Sequence, residues 1–327
     1  MRVNSVNKFN VRGIFRNYAI FVVFICLVII LSVSNPYFLT VKNLTNVLRQ
    51  VSINGLIGIG MTFVILTGGI DLSVGSVVAF TGIVGASMAS AVSSPVFGGI
   101  IFPLWFTVLL SLLAGSFLGA VSGFFVAKFN VPAFIVTLGM LSIARGLTLI
   151  YCNGMPIPSL STGFLNIGNS SFLMIPTPVW IFFIVFFAAN FLLTQTKTGN
   201  HIYAVGSNEK CARISGVNVK KIKFIVYMIS GFCSALAGLI LTARTTAGLP
   251  QAGEGYELDA IAVVVIGGTS MNGGSGSLWG TLLGILIIGV INNGLNLMGV
   301  SSYYQSIIKG MIIVLAVLID MRKNGNK

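Results

Sequence analysis

Long apolar stretches, separated by short polar or glycine-containing segments, run along almost the whole chain. Most stretches approach the roughly 20 residues that a helix needs to cross a bilayer. We expect helices near residues 18–35, 48–67, 75–93, 101–127, 132–152, 178–195, 222–244, 257–268, 278–299 and 302–320. The pattern predicts an all-α fold, a polytopic transmembrane helical bundle of about ten helices, in which the helix at 257–268 is short and interrupted.

Two segments share a local pattern that indicates an internal repeat. Residues 64–69 and 264–268 are apolar runs ending in Gly-Gly, and each is followed by a small polar loop and a Gly-Ser pair, at 75–76 and 276–277. Transporters often contain repeats whose glycine-interrupted short helices meet at a substrate site near the middle of the membrane. An inverted repeat requires opposite directions, but the helix count gives both segments the same direction, so one segment is re-entrant or one span is miscounted. We assign structural roles to the glycines at the breaks: Gly68, Gly69, Gly267 and Gly268.

Glycines at four-residue spacing predict close contacts between helices. One series comprises Gly115, Gly119 and Gly123, and a second comprises Gly280 and Gly284. Without side chains at these positions, neighbouring backbones can approach closely. The series indicate a tight bundle and carry no information about function.

The composition supports a membrane protein. Apolar residues make up 55% of the chain and charged residues only 8%, too few for an ordinary aqueous surface. Unpaired backbone groups are costly in hydrocarbon, so the spans must be helices or a closed barrel, and long continuous apolar runs favour helices. The first stretch follows basic residues as in a secretory signal, but it is longer and lacks a small-x-small cleavage site, so we interpret it as an uncleaved span.

The net charge of +13 is best explained by membrane topology. The basic residues are scattered between apolar runs, which does not indicate a nucleic-acid partner. They concentrate at both ends of the chain and in the central loop 197–223, and the positive-inside rule assigns these segments to the cytoplasm. We therefore predict a cytoplasmic N-terminal tail at 1–17, a transmembrane domain at 18–320 surrounded by lipid, and a cytoplasmic C-terminal tail at 321–327.

The central loop contains a short segment with helix signals at both ends. Asn208 is a good N-cap, Glu209 suits the positive first turn, and Gly216 can end the helix. A short capped helix beside the membrane can act as a lever for an attached motor. The alternative is a solvated connector that is basic only to fix the topology.

The ionisable residues near the Gly-Gly breaks are candidates for a site, because charges are costly inside a membrane. Asp71 can cap the helix that begins near Ser73 or contribute to a translocation path with Ser73. For Arg145 and Lys309, a structural pairing inside the bundle and a pathway role are both open. Arg244 and Glu254 are interpreted as side chains that reach the membrane interface.

The late spans carry polar, uncharged residues that suit a neutral, hydroxyl-rich solute such as a sugar. The candidates for the translocation path are Asn292, Asn293 and Asn296. The same residues are equally suited to hydrogen bonds between helices, so both roles remain open.

Several classes of site are not indicated. The sole histidine, His201, lies in the central loop, and the four cysteines show neither metal-ligand spacing nor a plausible disulfide pair. Residues 267–274 are glycine-rich but lack the Gly-Lys-Ser/Thr ending of a nucleotide-binding loop. We predict no metal, no cofactor, no ATP site and no enzymatic activity in this chain. A proton relay is disfavoured because acids and histidines do not follow one another across the membrane.

Several segments together resemble the ribose-type permeases of the ATP-binding-cassette importers, over nearly the whole chain after about residue 40. The resemblance is carried by residues 68–76, 209–216, 255–262, 267–270 and 292–297. It implies a sugar importer of the bacterial inner membrane, with two permease copies, a cytoplasmic ATPase and a periplasmic sugar-binding protein. Ribose is the leading expectation, and an ion-coupled carrier for a small polar solute is the alternative.

The resemblance also implies that the segment from Glu209 to Gly216 is the coupling helix that docks on the ATPase. Lys210 and Cys211 depart from the alanines that such loops commonly carry. The residues expected to contribute to coupling are Asn208, Glu209, Arg213, Ser215 and Gly216.

Overall fold

The computed structural model describes residues 11–91 and 99–324. Within these residues the chain forms thirteen helices and one short antiparallel hairpin. The helices of the first half are α1 Val11–Ser34, α2 Val41–Leu66, α3 Val74–Ala89, α4 Leu104–Phe129, α5 Ala133–Tyr151 and α6 Thr162–Asn169. The hairpin strands are β1 Ser171–Phe172 and β2 Ile175–Pro176. The remaining helices are α7 Thr177–Gln195, α8 Lys197–Ser207, α9 Glu209–Ile214, α10 Val219–Thr245, α11 Tyr256–Ile266, α12 Leu278–Leu297 and α13 Ser302–Asn324.

The predicted all-α polytopic bundle is confirmed, and each predicted span overlaps a helix. Six helices in the described residues are long and apolar enough to cross a membrane: α2, α4, α5, α7, α10 and α12. Two shorter apolar helical segments, Ile20–Ser34 and Val74–Ala89, accompany them. The count of about ten spans is therefore not established. The predicted tails fall partly on residues 1–10 and 325–327, and the predicted span 75–93 ends at 92–93, all outside the described residues.

Helix α10 lies at the centre of the bundle, packed against α2, α3 and α4. The contact with α4 depends on the predicted glycine series, since Gly119 lies against Gly231 and Gly123 lies against Phe224. A Cβ added to Gly123 would meet the Phe224 backbone at 3.0 Å. The second series also allows a close helix contact, because Gly280 and Gly284 of α12 lie against the backbone of α11. Both glycine series therefore form close helix contacts, as predicted.

Two ends of the bundle can be distinguished by the short elements that lie there. Helices α8 and α9 mark the first, called here the α9 end. Helix α6 marks the second, the α6 end, where Gly168 contacts the last turn of α10. The segment between α5 and α6 meets the segment between α10 and α11 near this end, through a backbone pairing between Ile157 and Gly248.

Helices α3 and α11 both begin inside the bundle. Gly75, in the first turn of α3, lies against the carbonyl of Gly253, just before α11. From this point α3 runs towards the α6 end, and α11 runs towards the α9 end, where Gly267 meets Gly280 near the start of α12. The oppositely directed interrupted helices are therefore α3 and α11. Helices α2 and α11, which carry the similar Gly-Gly segments, run in the same direction.

Candidate functional site

Helix α9 is a short, well-capped helix between α8 and α10. The side-chain oxygen of Asn208 accepts a hydrogen bond from the Cys211 N–H at 2.9 Å, and Ser215 closes the last turn. Gly216 follows with φ +85°, a left-handed conformation that glycine adopts without a steric penalty. The predicted cap at Asn208 and stop at Gly216 are confirmed.

Glu209 forms one ion pair within α9 and another with α10. Its carboxylate binds Arg213 at 3.0 Å and Lys223 at 2.7 Å. The hydrogen bond from Lys223 holds the pKa of Glu209 below its ordinary value, with help from the charge of Arg213. The carboxylate is therefore ionised near neutral pH and fixes the orientation of α9 against the start of α10.

The outer surface of α9 is unusual for a helix attached to a membrane domain. Ala212 is buried against the bundle, whereas the side chain of Ile214 is 87% exposed. Arg213, Ser215 and Gly216 are also exposed. Helix α9 is thus anchored on one side and presents an isolated aliphatic side chain among polar and basic groups on the other.

A cleft of about 740 Å³ lies between α9 and the turn that joins α4 and α5. We call it the α9 cleft. It is bounded by the Gly68-Gly69 break, by the turn between α4 and α5, and by α9 itself. The charged residues in its lining are Glu209, Lys210, Arg213 and Lys223. The cleft is therefore basic overall, and the break that leads to α3 forms part of its wall.

The two Gly-Gly breaks meet each other at the α9 end. The Gly274 N–H, in the loop after Gly267-Gly268, donates to the carbonyl of Leu66 at 2.9 Å. Gly68 and Gly268 have φ values of +75° and +85°, which let both helices end sharply. Similar transporters led us to expect such breaks near the middle of the membrane. Here it is instead the starts of α3 and α11 that meet inside the bundle.

Asp71 and Ser73 form a buried cluster with Ser230 of α10. The Asp71 carboxylate accepts hydrogen bonds from the Ser73 N–H at 3.0 Å, the Ser73 hydroxyl at 2.6 Å and the Ser230 hydroxyl at 2.7 Å. Asp71 is 1% exposed. The carboxylate thus accepts a hydrogen bond from the backbone N–H of the residue before α3, as in the predicted capping role. It also links the Gly68-Gly69 break to α10 through Ser230.

The three candidate asparagines of α12 face different neighbours. Asn293 exchanges two hydrogen bonds with Asn43 of α2, at 2.9 and 2.8 Å. Asn296 is exposed and accepts from Gln305 at 2.8 Å. Asn292 is buried beside the carboxylate of Asp259. The structure does not bring these residues together with Asp71 and Ser73 into one site.

The two basic residues whose role was left open are both paired. Lys309 of α13 binds Asp259 of α11 at 2.9 Å. Arg145 of α5 donates to the carbonyls of Pro250 and Ala252, at 2.5 and 3.1 Å. From the sequence, Asp259 is recognisable only as an ionisable residue flanking a break, and nothing points to Asn43. An acidic residue in the first turn of an interrupted helix is the signal that points to Asp259.

The fold and these polar clusters define a class, a multi-pass helical membrane protein with an interrupted-helix core. Residues 43–317 match the family described as branched-chain amino acid transport system / permease component. The chain belongs to this family of transport-system permeases.

Curated relatives resemble the chain over nearly its full length. The ribose import permease protein RbsC of Haemophilus influenzae is 48% identical over 327 residues, covering 98% of each chain. The protein of the same name from Escherichia coli is 50% identical over 303 residues, covering 91% of each. The D-allose transport system permease protein AlsC of Escherichia coli is 41% identical, covering 92% of this chain and 90% of the relative. No solved structure matches the chain.

Proposed function

We propose that the chain is the permease subunit of an ATP-driven sugar importer of the bacterial inner membrane, with ribose as the substrate. The observation that carries the proposal is the near-full-length similarity to ribose import permeases from several bacteria. The relative named for D-allose transport is less similar. In this proposal the chain supplies the path for the sugar, and a separate ATPase subunit hydrolyses ATP.

The α9 end is the surface proposed to dock on the cytoplasmic ATPase. Support comes from the rigid attachment of α9 through Glu209, from the exposed Ile214, and from the adjoining cleft. Asn208, Arg213, Ser215 and Gly216 act by shaping or presenting this helix. Because the Gly68-Gly69 break lines the same cleft, a movement of α9 has a short route to α3.

The proposed importer contains two further partners. A second copy of the permease completes the translocation unit, and a periplasmic sugar-binding protein delivers the sugar at the α6 end. Both chain ends, the predicted tails 1–17 and 321–327, then lie in the cytoplasm with α9. Exposed apolar side chains such as Phe117 and Ile150 suit contact with lipid or with the second copy.

The alternative, an ion-coupled carrier, receives no specific support. It would use Asp71 as the charge that binds the driving ion or proton. The hydrogen bonds to Asp71 within the described residues come from Ser73 and Ser230, an arrangement suited to a fixed structural carboxylate. We therefore retain the ATP-driven importer as the proposed function.

Uptake of labelled ribose in cells that express the chain with its ATPase and binding protein tests the proposal. We expect accumulation that persists when an uncoupler collapses the proton gradient, provided that ATP is held constant. Loss of accumulation under those conditions would favour the ion-coupled carrier. Omission of the ATPase subunit is the matched control and should abolish uptake.

A further inference from the structure

A small polar cluster lies where α11, α12 and α13 meet. It consists of Asp259, Asn292 and Lys309, and we call it the α11 cluster. Asp259 is 4% exposed and Asn292 is 3% exposed. Lys309, which is half-buried, reaches Oδ2 of Asp259 with its ammonium at 2.9 Å. The cluster is therefore an ion pair with an adjacent amide, enclosed among apolar helices.

Two oxygen atoms of the α11 cluster are left without hydrogen bonds. Oδ1 of Asp259 and Oδ1 of Asn292 are both buried and have no hydrogen-bond partner among the described residues. The Asn292 amide lies within interaction distance of the Asp259 carboxylate. A buried acceptor in this state is destabilising unless a partner satisfies it. The neighbouring Asn293 is in the opposite state, since Asn43 satisfies it reciprocally.

The α11 cluster lies on one of the two interrupted helices. Asp259 belongs to the first turn of α11, which begins inside the bundle against Gly75. Interrupted helices in transporters commonly form the substrate site, and ionisable residues inside the membrane commonly mark the substrate path. The cluster therefore lies at a kind of position where transporters commonly place substrate contacts.

Further polar side chains lie near the α6 end and at the start of α11. Arg244, in the last turn of α10, is an electrostatic neighbour of both Arg49 and Tyr256. Tyr256, at the start of α11, is in turn a neighbour of Asp259. Arg49 also has a buried Nε atom without a hydrogen-bond partner in the described part of the chain. These groups place polar side chains at the α6 end and at the start of α11, the helix that carries Asp259.

The charges of the α11 cluster select a neutral ligand. Lys309 neutralises Asp259, so the cluster has no net charge to attract a cation or an anion. Its two unpartnered oxygens can accept hydrogen bonds from hydroxyl groups, and the ammonium of Lys309 has further protons to donate. A polyol with adjacent hydroxyl groups offers both kinds of partner in one molecule.

We propose that the α11 cluster is a hydroxyl-binding subsite for a neutral sugar on the translocation path, an inference that rests on the proposed sugar import. The ligand class is a polyol that donates hydroxyl protons to Asp259 and Asn292 and accepts from Lys309. A resident water molecule at the same oxygens is the competing explanation. In that case the cluster only joins α11 to α13.

The test uses the complete importer in proteoliposomes, with labelled ribose, and compares Asn292→Leu with Thr281→Val. Thr281 lies on the same helix and makes a satisfied hydroxyl contact with Thr62 at 2.8 Å. We expect Asn292→Leu to lower ribose uptake per ATP hydrolysed roughly tenfold, as loss of one strong hydrogen bond to the sugar implies. Thr281→Val should leave this ratio unchanged. An unchanged ratio in Asn292→Leu would overturn the subsite.

A second variant covers the case in which Asn292→Leu fails to insert. The double variant Asp259→Asn with Lys309→Gln keeps shape and overall neutrality. If the cluster is a subsite, this variant should assemble, hydrolyse ATP on addition of the sugar-loaded binding protein, and take up ribose poorly. Normal uptake would show that the cluster is only structural. Failure of the proposed function is distinguishable, because the unaltered importer would then take up no sugar with ATP.

Discussion

At the scale of single residues, some buried polar groups have all their oxygens hydrogen-bonded, and others keep an unsatisfied oxygen. Asp71 accepts three hydrogen bonds from two serines, and Asn293 exchanges hydrogen bonds with Asn43. Asn292 and Asp259 each keep an unsatisfied oxygen. Satisfied polar groups are expected to stabilise helix contacts, whereas a group with an unsatisfied oxygen can bind a transient ligand.

Substitution of Asp71 distinguishes a structural carboxylate from a coupling charge. Asp71→Leu leaves three buried donors of Ser73 and Ser230 unpaired, so we expect a loss of about 3 kcal/mol or more and a lower melting temperature in detergent. Asp71→Asn keeps an acceptor at the same place and should cost about 1 kcal/mol. It should also retain ATP-driven uptake. If Asp71→Asn is well folded but cannot accumulate ribose, Asp71 has a role in the translocation path and not only a structural one.

At the scale of secondary structure, α9 is the element whose form depends most visibly on local sequence. Asn208, Glu209 and Gly216 define its start, first turn and end, and all three could be recognised from the chain alone. The contact from Glu209 to Lys223 could not, because it joins side chains 14 positions apart across a turn of unknown geometry. That contact decides how α9 is held.

Two substitutions, one in α9 and one just after it, should uncouple the ATPase from transport. Glu209→Lys reverses a charge that binds Arg213 and Lys223, and Gly216→Val forces a branched side chain into a left-handed conformation. We expect insertion to remain normal while the sugar-stimulated rate of ATP hydrolysis falls several-fold. Gly163→Val is a control, because Gly163 also has open space around it but no positive φ. Full stimulation in both Glu209→Lys and Gly216→Val would contradict docking through α9.

The ion pairs of Glu209 also predict a pH dependence. The pKa of Glu209 is lowered in the folded chain, chiefly by the hydrogen bond from Lys223. Its stabilising contribution is therefore present above the ordinary glutamate pKa and is lost as the pH falls through the lowered value. Melting temperatures of the wild type and Glu209→Gln should differ near neutral pH and converge in acid. A constant difference down to strongly acidic pH would rule out this contribution.

At the scale of the whole molecule, the helical bundle was largely predictable from the sequence. The arrangement of helix ends inside the bundle was not. Apolar run lengths located the spans, and glycine spacing marked α4 and α12 as helices in close contact with neighbours, but it did not identify those neighbours as α10 and α11. Local pattern paired the break at Gly68 with that at Gly267, but the elements that meet inside the bundle are the starts of α3 and α11. Sequence similarity between segments does not reveal which helix ends become neighbours. Long-range packing decides that, as the contact of Gly75 with Gly253 illustrates.

As proposed, this chain carries sugar and couples to an ATPase without hydrolysing ATP itself. Purified chain, ATPase subunit and binding protein should be reconstituted in proteoliposomes, with ribose uptake and ATP hydrolysis measured together and each component omitted in turn. We expect ATP-dependent uptake only in the complete system, and no hydrolysis by this chain alone. Ribose accumulation by this chain alone, driven by an imposed ion gradient, would overturn the proposed function.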